Sequence, residues 1–205
     1  MKMVKLLSIV ALVILTACNG SQVETVVEEA EESPAREFWN RITALCGQAF
    51  EGELVSGSGR AFAGQRLVMH VLSCSDDVIH IPFNVGDNLS RTWILTYEND
   101  RILLKHDHRI EDGSDDPVTM YGGWTSNAGR AGIQFFPADE ETRERIGYAF
   151  HNIWWITVSE TAFTYNLRTV MGTNPPFTVS FDLTNPVEIP ERSWGYEDFV
   201  PAQER

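Results

Sequence analysis

The chain has 205 residues, with 16 lysines and arginines against 29 aspartates and glutamates, a net charge of −13 and an aromatic content of 11%. A surface this acidic argues against nucleic acid as a partner, and against docking of the folded part on anionic lipid head groups, because both reward lysine and arginine. The length suffices for one domain with a substantial core.

Met1–Lys5 carries two lysines, Leu6–Leu15 is an apolar run, and Leu15-Thr16-Ala17-Cys18 closes it. A basic start, an apolar stretch of about 7–15 residues and small residues before a cut describe a secretory signal. The run falls short of the roughly 20 apolar residues that span a bilayer. The tetrapeptide resembles the lipobox of bacterial lipoproteins. That resemblance implies a signal peptide over 1–17, cleavage before Cys18, diacylglycerol on its sulfur and usually a third acyl chain such as palmitate on its amine. Several chains give stable membrane anchoring. The alternative is an ordinary secretory signal whose cysteine is incidental. Asn19 stands where enterobacterial lipoproteins retained at the inner membrane carry aspartate, which implies the outer membrane, facing the periplasm, in a Gram-negative host. Loss of the signal removes Lys2 and Lys5 and no acid, taking the net charge from −13 to −15.

Asn19–Ala35 has no aromatic residue and carries Glu24, Glu28, Glu29, Glu31 and Glu32 before Ser33-Pro34. It has too little apolar surface to offset the entropy of ordering it. Residues 18–35 therefore read as a lipidated cysteine with an acidic tether, and 36–205 as a single domain holding all six tryptophans.

Within that domain Gly, Pro, Asn and Asp recur at short intervals, the punctuation of an all-β chain. Phe38–Leu45 is predicted to form a short helix. Strands are predicted over 46–55, 65–74, 78–85, 91–98, 101–109, 119–125, 132–136, 150–158, 162–170 and 177–184. Asn99-Asp100 and Ser159-Glu160 are candidate two-residue hairpin turns. Asp139–Ile146 reads as a turn or two of helix with Asp139 near its N-cap. Cys46 and Cys74, in an exported chain, are expected to pair as a disulfide. A reactive or metal-binding thiol pair would be the competing use, and no Cys-x-x-Cys spacing supports it.

About ten strands joined by tight connections favour an all-β, antiparallel, up-and-down barrel with a short N-terminal helix. A sandwich or jelly roll would give the same strand count. The architecture resembles the calycin group of lipocalins, fatty-acid-binding proteins and nitrobindin-like barrels, although Cys46-Gly47-Gln48-Ala49-Phe50 stands where lipocalins carry Gly-x-Trp. The phrases Cys46–Phe50, Leu104–Arg109, Glu111-Asp112-Gly113-Ser114 and Tyr121-Gly122-Gly123 also resemble those of a family of uncharacterised secreted bacterial proteins, a resemblance that implies no activity.

Arg101–His108 carries the sharpest orientation signal, since side chains alternate across a strand. Arg101, Leu103, Lys105 and Asp107 share one face, mostly charged and expected to meet water. Ile102, Leu104, His106 and His108 share the other, which should point inward. Two imidazoles about 7 Å apart on an inner face suit a ligand pocket or, with a third ligand from His70, His80, His151 or Glu51, a metal. The commoner use of such histidines is structural, bonded to loops beside Asp107, to backbone or to neighbouring acids.

Glycines inside Tyr121-Gly122-Gly123-Trp124 mark a bulge, a bend, or the close approach of another backbone or a ligand. Tyr121 and Trp124 are accordingly ligand-binding candidates beside His106 and His108. The acidic loop Glu111–Asp116 does not match a calcium-loop spacing, and Arg109 is expected to pair with it. Trp154 and Trp155 fall on opposite faces of one strand, so one of them should be exposed or covered by Phe38 or Trp39.

No nucleophile elbow, P-loop or dinucleotide-binding pattern is present, and no catalytic residue is assigned. The sequence is read as a lipid-anchored envelope protein binding a small, partly apolar ligand in a barrel. The alternatives are an interaction lipoprotein without a small-molecule site and a metal-dependent enzyme using His106 and His108.

Overall fold

Asn99 and Asp100 sit at φ 51° and 57°, the paired left-handed conformations of a two-residue hairpin turn, and this turn sets the register of the strands around it. The computed structural model describes residues 31–57, 59 and 61–202. The signal segment and Cys18 lie outside them.

Among the described residues, helix α1 (Pro34–Thr43) precedes β1 (Ala49–Ser56), β2 (Leu67–His70), β3 (Ser73–Cys74), β4 (Val78–Val85), β5 (Arg91–Glu98), β6 (Arg101–His108), β7 (Tyr121–Trp124) and β8 (Ile133–Pro137). Helix α2 (Glu140–Arg145) and a 3₁₀ turn (Gly147–Ala149) lead into β9 (Asn152–Val158), β10 (Ala162–Thr169) and β11 (Phe177–Val187). All pairings are antiparallel, in the order β7-β6-β5-β4-β2-β1-β11-β10-β9-β8, with β3 added on β4. From β4 to β7 and from β8 to β11 each strand pairs with its sequence neighbours, β2 joins β1 to β4, and the first strand pairs with the last. This is the up-and-down barrel expected, nearly closed.

The remaining seam lies between β7 and β8, and the glycine pair makes it. A Cβ on Gly123 would overlap the carbonyl oxygen of Pro137, and one on Gly122 that of Leu104. The bare backbone lets the Asp139 N–H reach the Gly122 carbonyl at 2.9 Å. Thr142 of α2 fills the gap: its hydroxyl accepts from the Gly122 N–H at 2.7 Å and donates to the Gly122 carbonyl at 2.8 Å. Close approach of another backbone, not a ligand, is therefore the reason for these glycines.

Helix α1 closes one end of the barrel. Ser33 caps it, accepting from the Arg36 N–H, and Pro34 opens its first turn, so it starts four residues before the apolar periodicity predicted. Its buried stripe, Ala35, Phe38, Trp39 and Ile42, joins the core. Ser33 also donates to Asp100 at 2.7 Å, and Arg36 stacks over Tyr97, which fixes the helix at the end where β5 and β6 turn. The Cys46–Cys74 disulfide ties the following segment to β3.

Three local expectations are corrected. The predicted strand 65–74 is interrupted at Val71-Leu72, where the chain passes from β2 to β3. The β9–β10 turn centres on Glu160-Thr161, one residue later than expected, with the Ser159 N–H bonded to the Ala162 carbonyl. Trp154 is buried and Trp155 takes the opposite, outward face, half-buried and 6.0 Å from Phe135, its partner across β8–β9. The charged face of β6 meets water only at its start, where Arg101 is exposed: Lys105 is 7% and Asp107 1% exposed. Lys105 is held by Asp139 at 2.9 Å and Glu141 at 2.7 Å. The C-terminal segment covers Asp107, where the Tyr196 hydroxyl donates to it at 2.8 Å and Arg109 pairs with it at 2.9 Å.

Candidate functional site

The register of the β5–β6 hairpin builds the site. Arg91 faces His108 and Trp93 faces His106, and on the other side of β6 His106 faces Tyr121. Directly opposed residues share a face, so the inner wall passes from charged and polar at the mouth to aromatic one layer down. Below it come Leu95 and Leu104, part of the filled core that runs to α1.

At the mouth a cavity of about 390 Å³ remains. Its polar groups are Arg91, His106, His108 and the hydroxyls of Tyr121 and Tyr165, with Asn152 and the exposed Tyr148 also on its lining. Trp93, Trp154, Phe83, Phe177 and Leu167 supply apolar wall. The loop between β1 and β2 brings Phe62 over it, with ring centroids 4.8 Å from Phe177 and 5.9 Å from Phe83.

His106 is 2% exposed and fixed at both nitrogens. Nδ1 lies 2.9 Å from the Tyr121 carbonyl oxygen, which can only accept, so Nδ1 carries the proton. Nε2 then accepts from the Tyr165 hydroxyl at 2.7 Å. The ring stacks on Tyr121 at 4.5 Å and 9°, while Tyr165 stacks on Trp93 at 4.4 Å. His108 Nε2 lies 3.2 Å from the Tyr121 hydroxyl.

Burial dominates the electrostatics of this wall. It lowers His106 to about 3. It lowers His108 to about 4, aided by the Arg91 charge and opposed by Asp116 and Asp107. It raises Tyr121 to about 12 and Tyr165 well above the ordinary phenol value. At neutral pH the imidazoles and phenols are thus uncharged, and Arg91 is the formal charge among these wall groups.

His106, His108 and Tyr121, singled out in the sequence, come together here. Trp124 does not. Three residues beyond Tyr121 it takes the opposite face, with the Arg101 guanidinium 5.7 Å from its ring. The candidate third metal ligands are dispersed. His70 lies near Arg192 and His80 beside Phe199, both on the outer wall; the His151 ring is tilted against Phe150, and Glu51 pairs with Arg66. Among the described residues no three His, Cys, Asp or Glu side chains form a group able to hold a metal. In the acidic loop Asp115 pairs with Arg109 at 2.7 Å, as expected, and Asp112 and Asp116 accept from nearby backbone N–H groups.

Arg91, Trp93 and Tyr165 were not anticipated as site residues. A signal for Arg91 existed: a two-residue turn at Asn99-Asp100 pairs Glu98 with Arg101 and hence Arg91 with His108. Tyr165 comes from the far wall, and no local pattern connects it to β6.

Fold and site together define an up-and-down antiparallel β-barrel, closed at one end by a helix and hollowed at the other by an aromatic-lined cavity with one cationic group. No family model, curated protein or solved structure matches the chain.

Proposed function

We propose that the protein is a lipid-anchored envelope protein whose barrel mouth binds a small, partly apolar ligand. The cavity carries this reading. At about 390 Å³ it has the size of a small-molecule site, mostly apolar with a few convergent polar groups. Its key polar groups are held by the ladder and by stacking, so little would have to be ordered on binding. The lipobox-like residues 15–18 and the acidic stretch that follows support the anchor and the periplasmic face of the outer membrane.

Native mass spectrometry and elemental analysis of the untagged protein test the cavity. A retained organic mass supports the carrier reading. A bare apo mass, with no quenching of Trp93 and Trp154 fluorescence by a library of small amphiphiles, moves the protein to an interaction role. Use of His106 and His108 as metal ligands has less support, since both nitrogens of His106 are engaged. A stoichiometric metal lost on His108→Ala would revive it. The anchor is tested by Cys18→Ser, which should abolish incorporation of labelled palmitate and release the protein from membranes.

A further inference from the structure

We infer that the ligand of the barrel mouth is a monocarboxylate with an apolar body, its carboxylate bound by Arg91. The inference rests on the reading of this cavity as a binding site.

Arg91 lines the cavity and is partly buried, yet no acidic side chain lies within ion-pair distance of it among the described residues. One N–H donates to the neutral Asn88 amide oxygen at 2.6 Å, and the Phe62 ring lies 5.4 Å from the guanidinium carbon. Asp116 acts on it only at longer range; its own carboxylate accepts from the Val118 N–H at 2.7 Å. A guanidinium has five N–H donors, and placing it against an apolar cavity without an anion is costly. An anion is what the wall lacks.

The neighbours narrow its class. His108, opposite Arg91 in the ladder, and His106 are neutral, so the wall offers one positive charge and fits one negative charge. The planar guanidinium fork matches the two oxygens of a carboxylate. The Tyr121 hydroxyl, in a long 3.2 Å contact with His108, is a second donor that can turn toward the same group. Below this polar rim the wall is Trp93, Trp154, Phe83 and Leu167, which calls for an apolar ring or short chain. The volume is at the small end for ligand clefts and too small for a diacyl lipid.

The test is isothermal titration of the full chain at neutral pH with 4-phenylbutyrate and decanoate, each compared with its own primary amide. At least one acid should bind about tenfold or more tightly than its amide, since the amide keeps the shape and loses the charge. Arg91→Gln should bring the acid-to-amide affinity ratio to about one; Arg91→Lys should keep part of the preference. The acid-to-amide ratio in the unsubstituted chain decides the matter even where a variant fails to fold. Equal binding of acid and amide overturns the carboxylate assignment and leaves the cavity as a site for neutral ligands. No binding of any of the four at millimolar concentration overturns the assignment and the cavity reading together.

Discussion

His106 and Tyr165 are joined across the barrel interior by a 2.7 Å hydrogen bond from the phenol to Nε2, linking β6 to β10, strands that are not adjacent in the sheet. The bond holds the imidazole in the tautomer that donates to the Tyr121 carbonyl, and it borders the cavity on two sides. Tyr165→Phe should therefore leave a buried nitrogen without its donor. The expected cost is about 1–3 kcal/mol, read as a lower urea midpoint with an unchanged far-ultraviolet spectrum. An unchanged midpoint would show that Nε2 is satisfied in another way.

Acid should destabilise the protein before its carboxylates titrate. His106 is lowered to about 3, and His108 and His70 to about 4, principally by burial. In the unfolded chain each would titrate near 6.5, so between these values the unfolded state binds more protons and stability rises with pH. Their contribution is complete above about pH 6.5 and is lost as the pH falls toward 3–4. For His106 alone the full linkage, reached only near pH 3, is on the order of 5 kcal/mol. Urea midpoints measured from pH 7 to pH 5 should fall, and His108→Gln should flatten the slope.

The seam between β7 and β8 depends on the absence of a side chain at Gly123. Gly123→Ala sets a Cβ against the Pro137 carbonyl and should cost about 3 kcal/mol. Gly47→Ala is the control: Gly47 has φ 79° with nothing within 4 Å of an added Cβ. It should cost only the left-handed conformation, about 1–2 kcal/mol. Thermal melts of the two variants compare them directly, and equal shifts would disprove the crowding at the seam.

The Cys46–Cys74 bridge closes a separation of 28 residues. In the chain-entropy view its loss costs about 3.5 kcal/mol. The Cys46→Ser/Cys74→Ser double variant should fold with a lowered urea midpoint, and dithiothreitol should shift the unsubstituted protein by the same amount while leaving the variant unaffected.

Asp107 is fully buried on the outer wall and takes bonds from Tyr196 at 2.8 Å and Arg109 at 2.9 Å. Tyr196→Phe removes one partner of a buried carboxylate and should cost about 1.5–3 kcal/mol. If the C-terminal segment is clamped here, amide exchange should rise around Ser193–Ala202 before it rises in β6.

The strands and their order were legible in the sequence because each is marked locally. Asn99-Asp100 demands positive φ at both central residues, and β4 and β5 begin and end where the turn residues stop them. The inward direction of His106 and His108 followed from alternation along β6. The same alternation failed for Lys105 and Asp107, because it tells which residues share a face and not what covers that face. Lys105 is buried by α2 and Asp107 by Tyr196, 89 positions away in sequence.

What the sequence by itself determined is the class of fold, the disulfide and the face of β6 that holds the imidazoles, all consequences of period-two patterning and turn chemistry within a few residues. The tertiary structure alone decided that Trp124 leaves the cavity, that Tyr165 enters it, and that Gly122 and Gly123 serve a backbone seam. It also left Arg91 facing aromatic walls without an acidic partner within ion-pair distance among the described residues. Closing the sheet brings together residues 15 to 90 positions apart, and side-chain partnership at that separation depends on register and curvature summed around the whole barrel.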